Sequence, residues 1–250
     1  MAAIYNIFFP LTIWECFMQS GNCMELFYIW GMNNAIAIPA EIKNDELYDR
    51  IITTIRMFSS EIKTVLEVGA SSGDGSTEAL IIGMSGLHNK TLYTIEANPL
   101  RYENLVTRYK GLDWVKPLNG SSVAIEEYMS EEDVEFFYKH TPTQLNEHSL
   151  DTVLSWYEDE VLSIAKHRIP TGLIDTIEKP DMVLLDGSAF TGSAEYQKVC
   201  DSKIIILDDI LDIKHYHSHQ ALRKNKEYEC LFCNLTLRNG YSIWVKRELL

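Results

Sequence analysis

The sequence has few positive charges. It contains 22 Lys and Arg residues against 36 Asp and Glu residues, which gives a formal net charge of −14. Basic residues do not cluster beyond the short run Arg223-Lys224-Asn225-Lys226, which is typical of a solvated helix end. Because a negatively charged surface repels a phosphate backbone unless a basic patch intervenes, we expect no nucleic acid among the partners of this chain.

The sequence also lacks the cysteine pattern of a disulfide framework or a zinc site. Its five cysteines are odd in number, and the C-x-x-C pair formed by Cys230 and Cys233 has no second pair to complete a tetrahedral site. Regular strand alternation would direct these two side chains to opposite faces. We therefore predict reduced thiols and a cytoplasmic location.

A long uninterrupted apolar run is absent as well. Residues 1–30 are rich in apolar and aromatic side chains, but no Lys or Arg precedes them and Glu15 interrupts them. These features predict neither a secretory signal nor a stable membrane span. We interpret residues 1–50 as a segment that caps the domain or forms a partner surface, through which a homo-oligomer would assemble. Attachment of the segment to a membrane surface is the alternative.

Alternating strand-like and helix-like stretches fill the chain from residue 64 onward. The 250 residues are 46% hydrophobic and 23% charged, a composition that suits one globular domain. The alternation is typical of a parallel sheet with helices on both faces. The predicted strands are Thr64–Val68, Leu92–Glu96, Trp114–Leu118, Met182–Asp186, Lys203–Asp208, Glu229–Leu235 and Tyr241–Lys246, and helices are predicted at Ser76–Met84, from Pro99 and at Ser149–Lys166.

The last two strands flank Asn239-Gly240, which is a strong hairpin signal. The predicted fold class is therefore α/β, with a Rossmann-like, seven-stranded, mostly parallel sheet that ends in an antiparallel hairpin. We assign this domain to residues 51–250. Residues 130–180 are interpreted as a helical insertion, because a connection of this length is usually a functional element.

A glycine-rich loop follows the first strand, and an acid ends the second. The glycines are Gly69, Gly73 and Gly75, in the order G-x-x-x-G-x-G, and the acid is Glu96. Parallel sheets bind ligands beyond the carboxyl ends of their strands, where a glycine loop admits close approach and an acid can accept hydrogen bonds from ribose hydroxyls. The order differs from the G-x-G-x-x-G of dinucleotide dehydrogenases, so a nicotinamide dehydrogenase is only a secondary hypothesis.

Residues 65–76, VLEVGASSGDGS, resemble motif I of class I S-adenosylmethionine-dependent methyltransferases, and residues 93–99, YTIEANP, resemble their second motif. The pattern is most similar to the FkbM-like and catechol O-methyltransferase-like branches, whose fourth strand ends in Asp-Gly and whose fifth ends in paired acids. Here these are Asp186-Gly187 and Asp208-Asp209. The resemblance covers residues 64–246 apart from the insertion.

The resemblance implies S-adenosylmethionine as cofactor, with contacts from three loops and one strand end. The residues that it assigns to cofactor binding are Glu67, Gly69, Ala70, Ser71, Gly73, Ser76, Glu96, Ala97, Asn98, Gly120, Ser121, Ser122 and Asp186.

The acids at the strand ends also suggest a divalent metal ion. Asp186, Asp208 and Asp209 would share one edge of the sheet, and such oxygen ligands suit Mg²⁺ or another divalent cation that lowers the pKa of an acceptor hydroxyl. The resemblance implies the same three positions, although an amide stands in the related branch where this chain has Asp209. The alternative is that the acids only cap strands and shape a polar pocket.

The predicted catalytic residues are Asp186, Lys214 and His215. Ala189 stands where the related branch has its catalytic lysine, so Lys214 or His215, just after the fifth strand, is the candidate general base. His215 and His219 also have the i, i+4 spacing of metal ligands on a helix, and the alternative is an exposed polar helix start. Residues 156–160 of the insertion either line the acceptor site or belong to an amphipathic core helix.

Together these features predict a methyltransferase that acts on an oxygen of a small molecule or sugar, with or without a divalent metal ion. A protein that keeps the fold as an interaction module is the alternative from a different functional class.

Overall fold

The computed structural model describes residues 42–43, 45–166 and 168–250, which lie in one compact unit, Ala40–Leu250. The interpretation of the N-terminal segment as a cap or partner surface concerns mainly residues 1–41 and lies outside the described residues. Helix α1, Glu46–Met57, crosses the domain boundary predicted at residue 50. Asp45 caps this helix by accepting a hydrogen bond from the Tyr48 N–H.

Seven strands form a single sheet in the order β3-β2-β1-β4-β5-β7-β6. The first five strands are parallel, and β7 is antiparallel to both β5 and β6. The structure therefore confirms the predicted fold class, and each predicted strand is present within one residue at either end. The strands are β1, Thr64–Val68; β2, Thr91–Glu96; β3, Val115–Asn119; β4, Met182–Leu185; β5, Ile204–Asp208; β6, Tyr228–Asn234; and β7, Tyr241–Lys246.

The helices that follow the strands begin where the sequence signals predicted. Pro99 is the first residue of α3, and the Asn98 side chain accepts hydrogen bonds from the N–H groups of the first turn. Among the described residues, no helix has the length and apolar character that a membrane crossing requires. After α1 the helices are α2, Ser76–Met84; α3, Pro99–Arg108; α4, Glu131–His140; α5, Leu150–Lys166; α6, Gly192–Val199; and α7, Tyr216–Lys224.

The predicted insertion is helical and covers one face of the sheet. It contains α4, α5 and short 3₁₀ turns at Gln144–Glu147 and Leu173–Thr176. Its buried side chains, among them Val134, Phe137 and Val153, join the core on the same face as Leu66 and Leu185. The opposite face packs on α1 and α2. Because successive strand residues point to opposite faces, the buried apolar side chains of β4 and β5 contribute to both cores.

The carboxyl ends of four parallel strands meet at one edge. Val68 lies opposite both Ile95 and Leu185, and Leu185 lies opposite Leu207. The chain leaves β1 toward β2 on one side and returns to β4 on the other, so this edge is the topological switch point where such sheets bind ligands. The residues that follow the aligned positions are Gly69, Glu96, Asp186 and Asp208.

The expectation that Cys230 and Cys233 point to opposite faces is wrong. A bulge between Cys230 and Phe232 inserts one residue into β6, so Cys230 lies opposite Trp244 and Cys233 opposite Ser242. Because Trp244 and Ser242 are two residues apart on β7, both cysteines share a face. Burial and the neighbouring Cys233 thiol raise the pKa of Cys230 to about 11, and both thiols are free.

Gly69 and Gly86 provide a matched test of close packing at this edge. Both have a left-handed backbone, with φ of +88° and +89°, but a Cβ on Gly69 would lie 2.0 Å from the Asp186 carbonyl oxygen, whereas nothing lies within 4 Å of one on Gly86. We expect Gly86→Ala to lower the free energy of unfolding by about 1–2 kcal/mol, and Gly69→Ala to lower it by about 1–3 kcal/mol more. Urea denaturation measures both, and equal losses would contradict the close approach.

Candidate functional site

A buried carboxylate fixes the loop that follows β1. Glu67 is fully buried and accepts hydrogen bonds from the hydroxyls of Ser76 (2.6 Å), Thr77 (2.7 Å) and Thr94 (2.8 Å). Burial raises its pKa, and the three hydroxyls oppose that rise. Glu67 and Ser76 were predicted to contact the cofactor. The structure instead places both beneath the loop, where they hold α2 against the sheet.

Two glycines shape the loop above this carboxylate. Gly69 passes against the end of β4, as described above, and Gly73 also has a left-handed backbone, with φ of +79°. A Cβ on Gly73 would lie 2.6 Å from a methyl carbon of Leu105 and 2.8 Å from the ring of Tyr109, whose hydroxyl donates to the Gly73 carbonyl. The packing on α3 therefore accounts for Gly73. The turn between the two glycines, which contains Ala70 and the half-buried Ser71, remains at the ligand edge.

Glu96 links this loop to the loop after β2. Its two carboxylate oxygens accept hydrogen bonds from the backbone N–H groups of Ser71 and Asn98, both at 2.7 Å. Only 7% of Glu96 is exposed, and burial raises its pKa, against the effect of these hydrogen bonds. A carboxylate has about four lone-pair sites, so the two backbone bonds leave acceptor capacity on each oxygen. The half-buried Ala97 lies between Glu96 and Asn98 in the sequence.

The predicted adenine-side loop is partly covered by the insertion. Ser121 donates its N–H to the Pro170 carbonyl at 2.7 Å, and its carbonyl accepts from the Leu173 N–H at 3.2 Å. A Cβ on Gly120 would lie 2.6 Å from both Pro170 and Leu173. The Ser122 hydroxyl donates to Glu195 at 2.5 Å. This loop therefore lies near the carboxyl ends of the parallel strands, as predicted for Gly120, Ser121 and Ser122. Much of its hydrogen-bonding capacity is used by partners within the chain.

The three strand-end acids lie together, as the sequence predicted. Asp186, Asp208 and Asp209 each place a carboxylate oxygen within 4.8 Å of the others. Asp209 has a left-handed backbone, with φ of +53°, a conformation that Asp and Asn tolerate better than most residues.

Two cations of the chain bind these acids. Lys214 Nζ lies 2.8 Å from Asp186 Oδ1 and 2.6 Å from Asp209 Oδ2. Arg238 Nη2 lies 2.8 and 2.9 Å from the two oxygens of Asp208, and Nη1 pairs with Asp45. Each acid is therefore paired with a protein cation.

The ion pairs decide the protonation of Lys214. Burial alone would lower the pKa of its ammonium, but the charges of Asp186 and Asp209 outweigh burial and raise the pKa above its usual range. The ammonium therefore keeps its proton at neutral pH. This argues against Lys214 as the general base and leaves it the role of a fixed positive charge.

The placement of His215 also argues against its predicted role as a base. The residue is fully buried beside Gly192, where a Cβ would lie within 2.9 Å of the imidazole ring. Burial, together with the Lys214 charge, lowers its pKa to about 3. His219 is also buried, and its Nδ1 lies 3.0 Å from the Ser242 hydroxyl. Within the described part of the chain, the group that could share a metal ion is the three acids, without either histidine.

The metal ion considered for this edge does not fit the residues as they stand. A divalent ion would need carboxylate oxygens at about 2.0–2.6 Å. Both oxygens of Asp208 already bind Arg238, and Lys214 lies between the other two acids. An ion would therefore have to displace at least the Lys214 ammonium.

Polar residues for which the sequence predicts no role lie beside the loop after β4. Glu195 is fully buried and accepts from Ser122 and from the Thr191 hydroxyl at 2.7 Å. A Cβ on Gly187 would lie 2.7 Å from its Oε1, so Glu195 supports the turn after Asp186. The spacing of Gly192, Glu195 and Val199 on the buried side of α6 is the signal that could have identified it.

Part of residues 156–160, which were predicted either to line the acceptor site or to belong to a core helix, faces the loop after β4. Tyr157 packs edge to face on Phe190 at 5.3 Å between ring centroids. Burial raises the pKa of Glu160, whereas hydrogen bonds with Ser188 and Tyr128 lower it. Trp156 instead is 42% exposed and contacts His148. Of residues 156–160, Tyr157 and Glu160 are therefore the two that the structure brings toward the strand-end acids.

Comparison with known proteins extends to structure only. No protein-family model matches the sequence, and no curated protein matches it. Similar solved structures include cofactor-bound Rv0187 from MTB, which is 14% identical with a TM-score of 0.54 over 95% of this chain and 96% of that one. An O-methyltransferase from Bacillus cereus in complex with SAH is 12% identical, with a TM-score of 0.53 over 95% and 97%. The O-methyltransferase TomG from Streptomyces achromogenes, in complex with SAM, is 12% identical, with a TM-score of 0.52 over 94% and 95%.

These similarities show that the chain has the Rossmann-like fold found in solved O-methyltransferases. At sequence identities of 12–14%, such structural similarity establishes the fold and does not by itself assign an activity to this chain. The likeness does not distinguish an FkbM-like branch from others.

Burial of His219 predicts a loss of stability in mild acid. Burial, reinforced by the Arg223 charge, lowers its pKa from 6.5 to about 4, so protonation favours the unfolded chain. Its contribution is complete above pH 6.5 and is lost as the pH falls toward 4, by about 2 kcal/mol at pH 5. We expect His219→Asn, which removes the titrating imidazole and keeps a polar side chain, to show a smaller fall in unfolding free energy between pH 7 and pH 5.

Urea denaturation at the two pH values measures this difference. His140→Asn, at an exposed histidine on α4, is the control and should behave as the unchanged chain. An equal fall in all three proteins would contradict the prediction.

Proposed function

We propose that this chain is an S-adenosylmethionine-dependent methyltransferase that modifies a hydroxyl oxygen of a small molecule or sugar. The observation that carries the proposal is the hydrogen bond from the Ser71 N–H to Glu96. It joins the glycine loop to the strand-end acid at the switch point of the sheet, next to Asp186. Solved proteins of the same fold bind SAM or SAH, which supports the same cofactor here.

The residues at this edge suit the cofactor. The unused lone pairs of Glu96 can accept hydrogen bonds from two ribose hydroxyls. Among the described residues no side chain caps α2, which begins after Gly75, so the loop and the first turn offer backbone N–H groups. The turn from Gly69 to Ser72 allows close approach. When bound, S-adenosylmethionine supplies a methyl group on a positively charged sulfur.

Methyl transfer requires the chain to orient the acceptor and to remove one proton. The acceptor oxygen forms the new O–C bond with a lone pair, the S–C bond breaks with its electron pair on sulfur, and the hydroxyl proton must leave. Lys214 keeps its proton and His215 is buried, so we assign the proton to Asp186, which is about one-fifth exposed. Lys214 holds that carboxylate in place through Oδ1.

The side facing the insertion favours a polar acceptor. Glu160, Ser188 and Tyr128 offer hydrogen-bonding groups near the β4 loop, and Tyr157 adds an aromatic face. Such a mixture of aromatic and hydroxyl-binding groups suits a sugar or a hydroxylated small molecule. The net charge of −14 supports this choice over nucleic acid, and we retain the cytoplasm as the proposed location.

An interaction module that binds cofactor without catalysis is the second candidate. Two observations favour it, namely Ala189 in place of a lysine and the full pairing of the strand-end acids. Incubation with S-adenosylmethionine and a panel of sugars, phenols and polyols separates the two candidates. We expect SAH to form with at least one acceptor, measured by mass spectrometry. Cofactor binding without SAH formation across the panel would favour the module.

Calorimetric titration with SAH tests the cofactor site. We expect the unchanged chain to bind SAH and Glu96→Gln to bind it at least about tenfold more weakly, because the amide replaces one acceptor oxygen with a donor. Glu103→Gln removes the same charge from an exposed position on α3 and should bind as the unchanged chain does.

Two outcomes would contradict the proposal. One is the absence of SAH binding, and the other is equal affinity of all three proteins. A parallel titration with NADH covers the nicotinamide alternative, for which we expect no binding.

A further inference from the structure

The two cations at the strand-end acids come from loops that are paired with each other. Ile210 and Leu211, just after β5, donate backbone hydrogen bonds to the carbonyls of Gly240 (3.1 Å) and Asn239 (2.9 Å). Lys214 follows on the first loop, and Arg238 precedes the paired residues on the second. The hydrogen bonds therefore fix the two backbone segments that deliver the ammonium and the guanidinium to the same edge.

The backbone of Lys214 is also packed tightly. A Cβ on Gly192 would lie 2.0 Å from the Lys214 carbonyl oxygen, and the preceding Ile213 is 1% exposed. The side chain of Lys214 is 14% exposed. The ammonium is thus held by a buried, closely packed segment rather than by a surface loop.

We propose that Lys214 and Arg238 replace the divalent metal ion that the resemblance to the catechol O-methyltransferase-like branch implies at these strand ends. Lys214 occupies the position between Asp186 and Asp209, and Arg238 satisfies Asp208. Lys214 acts as a positioning residue, because it orients the Asp186 carboxylate. That role in methyl transfer rests on the function proposed above, whereas the replacement of the ion does not.

The charges agree with such a replacement. Three carboxylates carry a charge of −3 when all are ionised. Lys214 and Arg238 together carry +2, the charge of a single Mg²⁺ or Mn²⁺, and Arg238 shares its part with Asp45. The bonds of 2.6 and 2.8 Å from Lys214 Nζ span the gap between the acids that an ion would otherwise bridge. Adding a divalent ion to the paired cluster would place like charges within a few ångströms of each other, which is unfavourable at a partly buried site.

Titration with Mn²⁺, followed by the electron paramagnetic resonance signal of the free ion, tests the proposal. We expect the unchanged chain to show no Mn²⁺ binding that depends on Asp186, and Lys214→Met to bind Mn²⁺ at least tenfold more tightly than the unchanged chain. Adding Asp186→Asn to Lys214→Met should remove that gain. A merely structural lysine would produce no gain in ion affinity.

Lys198→Met is the matched control. Lys198 also lies between two carboxylates, at 2.7 Å from Glu127 and 2.8 Å from Asp175, but away from the strand-end acids. We expect its Mn²⁺ affinity to equal that of the unchanged chain. A gain equal to that of Lys214→Met would show that any released acid pair attracts the ion and would overturn the proposal.

Two further results would overturn it. The first is Mn²⁺ binding by the unchanged chain that Asp186→Asn weakens, because the ion and Lys214 would then coexist. The second is a folded Lys214→Met, verified by circular dichroism, that gains no affinity. If Lys214→Met does not fold, the comparison of the unchanged chain with Asp186→Asn decides alone, and the absence of Asp186-dependent binding supports the proposal. SAH titration of the same samples reports separately on the proposed function.

Discussion

Burial of the Glu67 carboxylate in the sheet is the constraint on which the ligand edge depends. Taking a carboxylate out of water is costly unless hydrogen bonds compensate, and three hydroxyls from α2 and β2 do so here. Those bonds fix where α2 begins relative to β1. The glycine loop must therefore connect the end of β1 to the start of α2 over a fixed distance. In that conformation the Ser71 N–H donates a hydrogen bond to Glu96. The arrangement of the ligand edge follows from one buried carboxylate and the hydroxyls that donate hydrogen bonds to it.

A second set of charges organises the other half of the edge. Asp186 and Asp208 end neighbouring parallel strands, so the sheet itself brings their carboxylates together. Like charges at this distance repel each other, and the fold meets that repulsion with cations from two paired loops. The acids are thus a consequence of topology, whereas the cations are a feature of this sequence.

The elements and the edge could be predicted because they depend on local patterns. Aliphatic runs, glycine loops, Pro99 and the Asn-Gly turn act over a few residues, and the parallel arrangement then places Glu96, Asp186 and Asp208 at one edge. The partners of those residues could not be predicted in the same way. Arg238 lies 30 positions from Asp208 in the sequence, and the Asn239-Gly240 turn beside it indicates only a hairpin.

Burial was a further limit of the sequence-based predictions. The buried sites of Glu67, His215 and Glu195 depend on tertiary packing, since a polar residue beside a motif gives no indication of which way it faces. The β6 bulge had the same effect on the cysteines, because a single inserted residue reverses strand alternation. In each case the structure differs from the prediction in the direction or the burial of a side chain, and not in the secondary-structure element to which the residue belongs.

The ion pairs of Arg238 with Asp208 and Asp45 join the end of β5 to the start of α1. Asp45 also caps α1, so three side chains connect the ligand edge to the start of the first helix. Thermodynamic linkage is reciprocal. A ligand that weakens the ion pair of Arg238 with Asp208 would strengthen its ion pair with Asp45. By the same coupling free energy, a change at the start of α1 would alter the affinity of the ligand edge for that ligand.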